Sequence, residues 1–275
     1  MQLPAAMVSC RPGCDRPNVP LDASLCGIIA PGLGADLGPL LPGTVHVWAI
    51  TVENLDDTGP QLASLSTAER RRAQAFRFER DRHRFIARRV ALRQLLGRYL
   101  ALEPAQIEID EGDGRKPAIA GPHRKHGATS VSPGIRFNCS HSDGVALLAF
   151  AQDLPVGVDL ERVRPMLEAE DVAQRLFSPD EYRALMQIPP EDRLAAFYEC
   201  WTRKEAVVKA FGHGLAMPLD SFTVSFAPGQ PARLVQLNAG EPGDWMLARL
   251  CPSPGFSAAL AVRARGSVNV VTSWS

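Results

Sequence analysis

No apolar run in this 275-residue chain approaches the roughly 18 residues that a membrane-spanning helix needs, so no membrane partner is expected. Net charge is missing as well. Thirty basic and 30 acidic residues cancel, and no global field favours nucleic acid or an anionic surface. Cysteine is sparse: six thiols, at positions 10, 14, 26, 139, 200 and 251, are too few to frame a chain of this length with disulfides. Cys10 and Cys14 lack a second pair at ligand spacing, so incidental or structural thiols in a reducing cytoplasm are expected. The N-terminus has no basic residue before Arg11, and proline and glycine interrupt it early, which makes a poor secretory signal. No Ser-x-x-Lys or Gly-x-Ser-x-Gly context supports a serine nucleophile.

What is present describes an ordinary globular chain, 45% hydrophobic and 22% charged, long enough for one large domain or two smaller ones. Residues 1–43 are rich in proline and glycine and read as a loosely ordered extension. Val45 to Ile50 forms a first strand. Ser66 with Glu69 three residues on has the spacing of a capping box, and an Arg-rich helical stretch follows, then a second helix over about 81–100. Ten arginines crowd between Arg70 and Arg93. Ile135, Phe137 and Cys139 alternate as a strand does, and Asp143-Gly144 marks a hairpin turn before the apolar run from Val145 to Phe150. Beyond residue 220 the chain reads as short strands at 222–226, 234–237, 245–250, 256–262 and 268–271.

One internal echo organises this list. Leu65-Ser66-Thr67-Ala68-Glu69-Arg70 resembles Phe177-Ser178-Pro179-Asp180-Glu181-Tyr182 at an offset of 112 (177 − 65), and Phe85 matches Phe197 at the same offset. A duplication is therefore expected, with one half over residues 44–152, the other over 153–275, and a site between them. At that offset Val47 and Ala49 stand where the second half has Asp159 and Glu161, so the site is expected to be asymmetric.

The chemistry concentrates in the second half. Asp159 and Glu161, two apart in Gly157-Val158-Asp159-Leu160-Glu161, leave the same face of a strand. Glu205 and Lys209, four apart in Trp201-Thr202-Arg203-Lys204-Glu205-Ala206-Val207-Val208-Lys209, stack one turn above each other on a helix. Three acids and a lysine suit a hard cation such as Mg²⁺ held against phosphate. Each feature also has a plainer reading: solvated faces produce Asp-x-Glu and Glu–Lys pairs constantly. Ser140-His141-Ser142 offers donors for phosphate oxygens, or forms a turn whose serines satisfy local backbone. Lys116 is a candidate cation or a surface lysine. The arginines include solvated faces and possible phosphate forks. A Mg²⁺-dependent nuclease is one alternative, although position 163, where such sites commonly carry a lysine, is Val.

The ordered set Phe137-Asn138-Cys139-Ser140-His141-Ser142, Gly157 to Glu161, Phe177 to Tyr182, Trp201 to Lys209, Gly212-His213-Gly214-Leu215 and Pro218-Leu219-Asp220-Ser221-Phe222 resembles the 4′-phosphopantetheinyl transferases. It is closest to their large, monomeric, surfactin-synthetase-type branch, over roughly residues 45–265. The resemblance implies a pseudo-twofold α+β fold of two similar halves with the ligand cleft between them. It implies transfer of the 4′-phosphopantetheine arm of coenzyme A to a serine of an acyl or peptidyl carrier protein, in the cytoplasm and as a monomer. By position it implies Asp159, Glu161 and Glu205 for Mg²⁺, and Glu205 with Lys209 for catalysis. Arg72, Arg84, Lys116, Ser140, His141 and Lys209 are implied for coenzyme A. Two departures stand out: Arg115 replaces the glycine of the family's Gly-Lys-Pro segment, and Glu69 stands where some members have a basic residue. A basic or apolar rim near residues 162–175 is the expected docking face for an acidic carrier. The rival within this reading is a non-catalytic module that binds coenzyme A or a carrier protein.

Overall fold

The computed structural model describes residues 36–52, 60–111, 116–120, 134–212, 217–238 and 240–274. The expected extension lies outside them up to residue 35, as do Cys10, Cys14, Cys26, Arg115, His213 and Gly214.

Strand β1 (Thr44–Thr51) is apolar on both faces, as a strand between two layers must be. Val45, Val47 and Ala49 point one way and Trp48 and Ile50 the other, all buried. β2 (Ile109–Asp110) and β3 (Ala118–Ile119) form a small ladder. β4 (Ile135–Ser142) returns as β5 (Val145–Gln152) through Asp143-Gly144, whose φ values of 44° and 79° are those of a two-residue Asp-Gly hairpin turn. β6 (Val156–Arg162) carries the acids. Later come β7 (Phe222–Val224), β8 (Leu234–Leu237), β9 (Trp245–Leu250), β10 (Phe256–Arg263) and β11 (Asn269–Thr272). The first sheet has the order β11-β1-β5-β4 and the second β6-β10-β9.

The helices are α1 (Pro60–Ala63), α2 (Thr67–Gln74), α3 (Glu79–Leu100), α4 (Ala169–Leu176), α5 (Pro179–Gln187) and α6 (Pro190–Phe211). The two sheets share a core in which Val47, Ala49 and Leu147 meet Val158, Leu160 and Leu260. On the far side of the first sheet, Leu92, Leu95 and Leu96 of α3 pack on Trp48, Leu148 and Phe150. On the far side of the second, Phe197, Ala206 and Val207 of α6 pack on Ala259 and Ala261. Each large apolar side chain buried this way stabilises the fold by about 1.5–3 kcal/mol.

The duplication is visible element by element. β1-β5-β4 and β6-β10-β9 have the same antiparallel order. α2 and α5 both open with a capping box, Ser66 with Glu69 and Ser178 with Glu181. α3 and α6 are each 22 residues long, and both end on a left-handed residue, Ala101 at φ 54° and Gly212 at φ 76°. The strands correct one expected equivalence, however. Trp48 pairs with Leu148 as Asp159 pairs with Ala259, an offset of 111 (159 − 48 and 259 − 148). Because strand side chains alternate, a slip of one residue changes face. Val47 and Ala49 therefore point into the shared core, and Trp48 and Ile50 hold the places of Asp159 and Glu161.

The acid strand meets its helix at Gly157. A β-carbon there would collide with the Ala206 carbonyl and the Ala210 nitrogen of α6, so only glycine allows the two backbones to touch. That contact brings the α6 face bearing Glu205 and Lys209 down onto Asp159. Replacing Gly157 by Ala is expected to push α6 away and cost roughly 3 kcal/mol by overpacking, read as a lower denaturation midpoint.

Candidate active site

β6 is the edge strand of its sheet, and every second N–H along it faces away from β10. An edge donor buried without a partner is costly. Here each one meets a side-chain oxygen of β4: Val158 N–H donates to Asn138 Oδ1 (2.9 Å), Leu160 N–H to Ser140 Oγ (3.3 Å) and Arg162 N–H to Ser142 Oγ (3.0 Å). Asn138, Ser140 and Ser142 are two apart, so the period of β4 matches that of β6. Side chains thus replace the carbonyls of a missing neighbour strand.

The two hydroxyls do a second task. Ser140 donates to Asp159 Oδ1 (2.9 Å) and Ser142 to Glu161 Oε2 (3.0 Å). The serines therefore sit within a strand and satisfy a distant backbone, not the local turn that one sequence reading allowed. Lys209 Nζ, rising from α6, bonds both Asp159 Oδ1 (2.5 Å) and Ser140 Oγ (3.1 Å).

Asp159, 3% exposed, thus has one oxygen held by two donors, while its buried Oδ2 has no hydrogen-bond partner. Burial and then the charge of Asp159 raise the pKa of Glu161, against the pull of the Ser142 bond and Lys209. Burial and then Asp159 also raise that of Glu205, which Lys209 partly offsets. Three carboxylates that repel one another beside an unpartnered buried oxygen fit a hard cation. Among the described residues no three such groups close tightly enough to enclose a metal by themselves. A Mg²⁺ ion does not require that, because it retains water and takes phosphate oxygens. The donor set fits the ion on these grounds.

Cations line the opposite side. His141 keeps part of its ring open to solvent, yet partial burial and then the charges of Arg88, Lys209 and Arg84 lower its pKa to about 4. The imidazole is neutral at pH 7 and has a ring N–H to donate. Arg89, Arg88, Lys116 and Lys209 all act on neighbouring Cys139. Lys116 donates to the Val156 carbonyl at the start of β6, and burial lowers its pKa to about 8.

Of the residues singled out by sequence, Asp159, Glu161, Glu205, Lys209, Ser140 and His141 converge, with Arg84 and Lys116 reaching the same surface electrostatically. Arg72 stands at the outer edge, paired with Glu111 (2.8 Å) and lying over the Phe85 ring. Glu69 is not a ligand residue at all: it caps α2 and is buried against Arg89 (2.5 Å) and Arg93 (2.7 Å). Lys204, next to Glu205 in sequence, faces the interior. It is 0% exposed and paired with Glu181 (2.6 Å), itself 1% exposed, below the α5 cap. Trp201 stacks on Phe197 and helps to fix α6. Asn138 and Arg88 were not singled out by sequence as site residues, and Ser142 entered only as part of Ser140-His141-Ser142, although the two-residue spacing of Asn138, Ser140 and Ser142 is plain in the sequence.

Comparison with known proteins divides along the same line as the fold. A profile described as "4'-phosphopantetheinyl transferase, N-terminal" matches residues 53–153, and one for the "4'-phosphopantetheinyl transferase superfamily" matches residues 155–261. The chain is 37% identical over 228 residues to the 4'-phosphopantetheinyl transferase HetI of Nostoc sp., covering 82% of this chain and 91% of that protein. The chain belongs to the 4′-phosphopantetheinyl transferase superfamily. Two further relatives agree: 4'-phosphopantetheinyl transferase psf-1 of Bacillus pumilus, 34% identical over 69% of this chain and 78% of that one, and Sfp of Bacillus subtilis, 30% identical over 59% and 67%.

The titration of His141 tests this picture of the transferase cleft. Its folded pKa of about 4 lies below the ordinary 6.5, so its contribution to stability is complete above pH 6.5 and is lost as pH falls toward 4. NMR of the free protein is expected to place the ring's midpoint near 4, and an anion bound beside it should move the midpoint upward.

Proposed function

We propose that this protein transfers the 4′-phosphopantetheine arm of coenzyme A to a serine hydroxyl of an acyl or peptidyl carrier protein, releasing adenosine 3′,5′-bisphosphate. The observation that carries the reading is the polarity of one cleft: Asp159, Glu161 and Glu205 at one end, and Lys209, His141 and Arg84 beside them. A pyrophosphate that must lose one of its phosphoryl groups fits across that boundary.

Asp159, Glu161 and Glu205 would hold Mg²⁺, which when bound neutralises charge on the pyrophosphate. The chain's own residues account for the rest. Lys209 uses two of its ammonium protons on Asp159 and Ser140, which leaves the third for a phosphate oxygen. Neutral His141 donates a ring N–H to the same group. Glu205, whose carboxylate accepts no hydrogen bond among the described residues, takes the proton from the attacking serine. The serine oxygen then bonds to the phosphorus next to pantetheine as the bond to the nucleotide phosphate breaks. Arg84 and Lys116 contribute positive charge on the nucleotide side.

The two fused halves complete this cleft within one chain, which supports action as a monomer. A cytoplasmic site of action accords with carrier-dependent biosynthesis. The carrier's docking face is assigned to the rim after β6, where Leu167, 97% exposed, stands between Arg164 and Arg175. That combination suits an acidic partner with an apolar helix.

Incubation with apo carrier protein, coenzyme A and Mg²⁺ is expected to add about 340 Da to the carrier, the mass of the transferred arm. A chelator should abolish the gain, and Glu205→Gln should slow it by about 10²–10⁴-fold with the fold intact. Coenzyme A binding without any mass gain would identify a binding module instead.

A further inference from the structure

The β4–β5 turn reaches from the first half to the end of β6 in the second. Ser142 holds Glu161 and the Arg162 N–H there (3.0 Å each). The next residue, Asp143, faces two arginines. Its Oδ1 pairs with Arg164 Nη2 (2.8 Å), and its Oδ2 lies 4.0 Å from Arg162 Nε. The two arginines are held differently. The Arg162 guanidinium lies over the Phe256 ring (5.0 Å) and donates to the Pro254 carbonyl (3.3 Å). It also packs on Gly255, where a β-carbon would come within 3.0 Å of Nη1. Among the described residues the Arg164 side chain is paired with Asp143 alone. Its backbone is fixed, because the Arg164 carbonyl accepts from the Tyr198 hydroxyl of α6 (3.3 Å). Only the exposed side chain can change partner.

Such a pair, with side chains 58% and 36% exposed, contributes only about 0–1 kcal/mol. A second carboxylate can therefore compete for the Arg164 guanidinium at little cost. The transferase reading brings one within reach. A serine that attacks beside Glu205 and Glu161 belongs to a folded carrier. Even a weak protein–protein contact covers about 500 Å² on each partner, a disc roughly 13 Å in radius. Arg164 is three residues beyond Glu161, at most about 11 Å of chain. The pair thus lies under any carrier whose serine reaches the acids. In that place Asp143 repels an incoming carboxylate and occupies the cation that would attract it.

We propose that Asp143 is a specificity-determining residue for the carrier: it occupies Arg164 in the free enzyme, and a carrier carboxylate must displace it to dock. The proposal rests on the transferase reading and names the contact by which that reaction selects an acidic partner. Asp143→Asn isolates the charge, because asparagine accepts the left-handed φ of 44° as readily as aspartate. Docking can be read as KM for an apo carrier. It can also be read without turnover, by calorimetry on the same carrier with its acceptor serine replaced by alanine.

Asp143→Asn is expected to bind the carrier about two- to fivefold more tightly than wild type. KM for the carrier should fall to match, with kcat and KM for coenzyme A unchanged. Arg164→Gln should weaken docking. In the Arg164→Gln background Asp143→Asn should have little effect, because the two residues act as a pair. Unchanged or weaker docking in Asp143→Asn overturns the proposal. So does an equal gain with and without Arg164, which would mark a general charge effect. A wild-type protein that neither binds nor modifies any apo carrier overturns the transferase reading, and this proposal with it. Transfer by wild type with no response to Asp143→Asn overturns the proposal alone.

Discussion

Everything in the cleft depends on how the outer edge of β6 is satisfied. Its N–H groups at Val158, Leu160 and Arg162 find no strand beside them, and Asn138, Ser140 and Ser142 supply the missing acceptors. A hydrogen bond of this kind contributes only about 1 kcal/mol net, but a buried donor left without one costs about 1–3 kcal/mol. The seam therefore fixes the register between the two halves more firmly than its small favourable energy suggests. The same hydroxyls then point their protons at Asp159 and Glu161. Joining the halves and aiming the carboxylates are consequently one structural act, which is why Ser-His-Ser belongs to a strand and not to a turn.

The duplication explains why the site can be lopsided. Both halves keep the framework, including the buried acid–base pair beneath each cap: Glu69 with Arg93 in one, Glu181 with Lys204 in the other. On the functional face they diverge. Where the second half has Asp159, the first has Trp48, whose indole N–H donates to Tyr99 Oη (2.8 Å) in a buried polar cluster with His46. One half thus supplies packing and arginines, and the other the acids.

Much of the fold was legible because its signals are local. Capping boxes, the Asp-Gly turn and alternating strands are each written in a few adjacent residues, and the strands from Leu234 to Leu237 and Trp245 to Leu250 fall where their patterns end. The acid cluster was legible for the same reason, since Asp159 with Glu161 and Glu205 with Lys209 follow strand and helix periods. What was not legible depends on distant partners. Lys204 looks like a surface lysine until Glu181 arrives from another helix. Arg88 is one arginine among ten in its stretch until its neighbours are seen to be paired. The register of the duplication failed by one residue, because cap and strand carry different offsets.

Native-state hydrogen exchange at the β6 amides tests the seam most directly. The account predicts that Val158, Leu160 and Arg162 exchange as slowly as the amides bonded within the β6–β10 ladder, and that Ser140→Ala releases Leu160 selectively. Exchange at all three sites as fast as in exposed loops would contradict it, because the halves would then be joined by apolar packing alone.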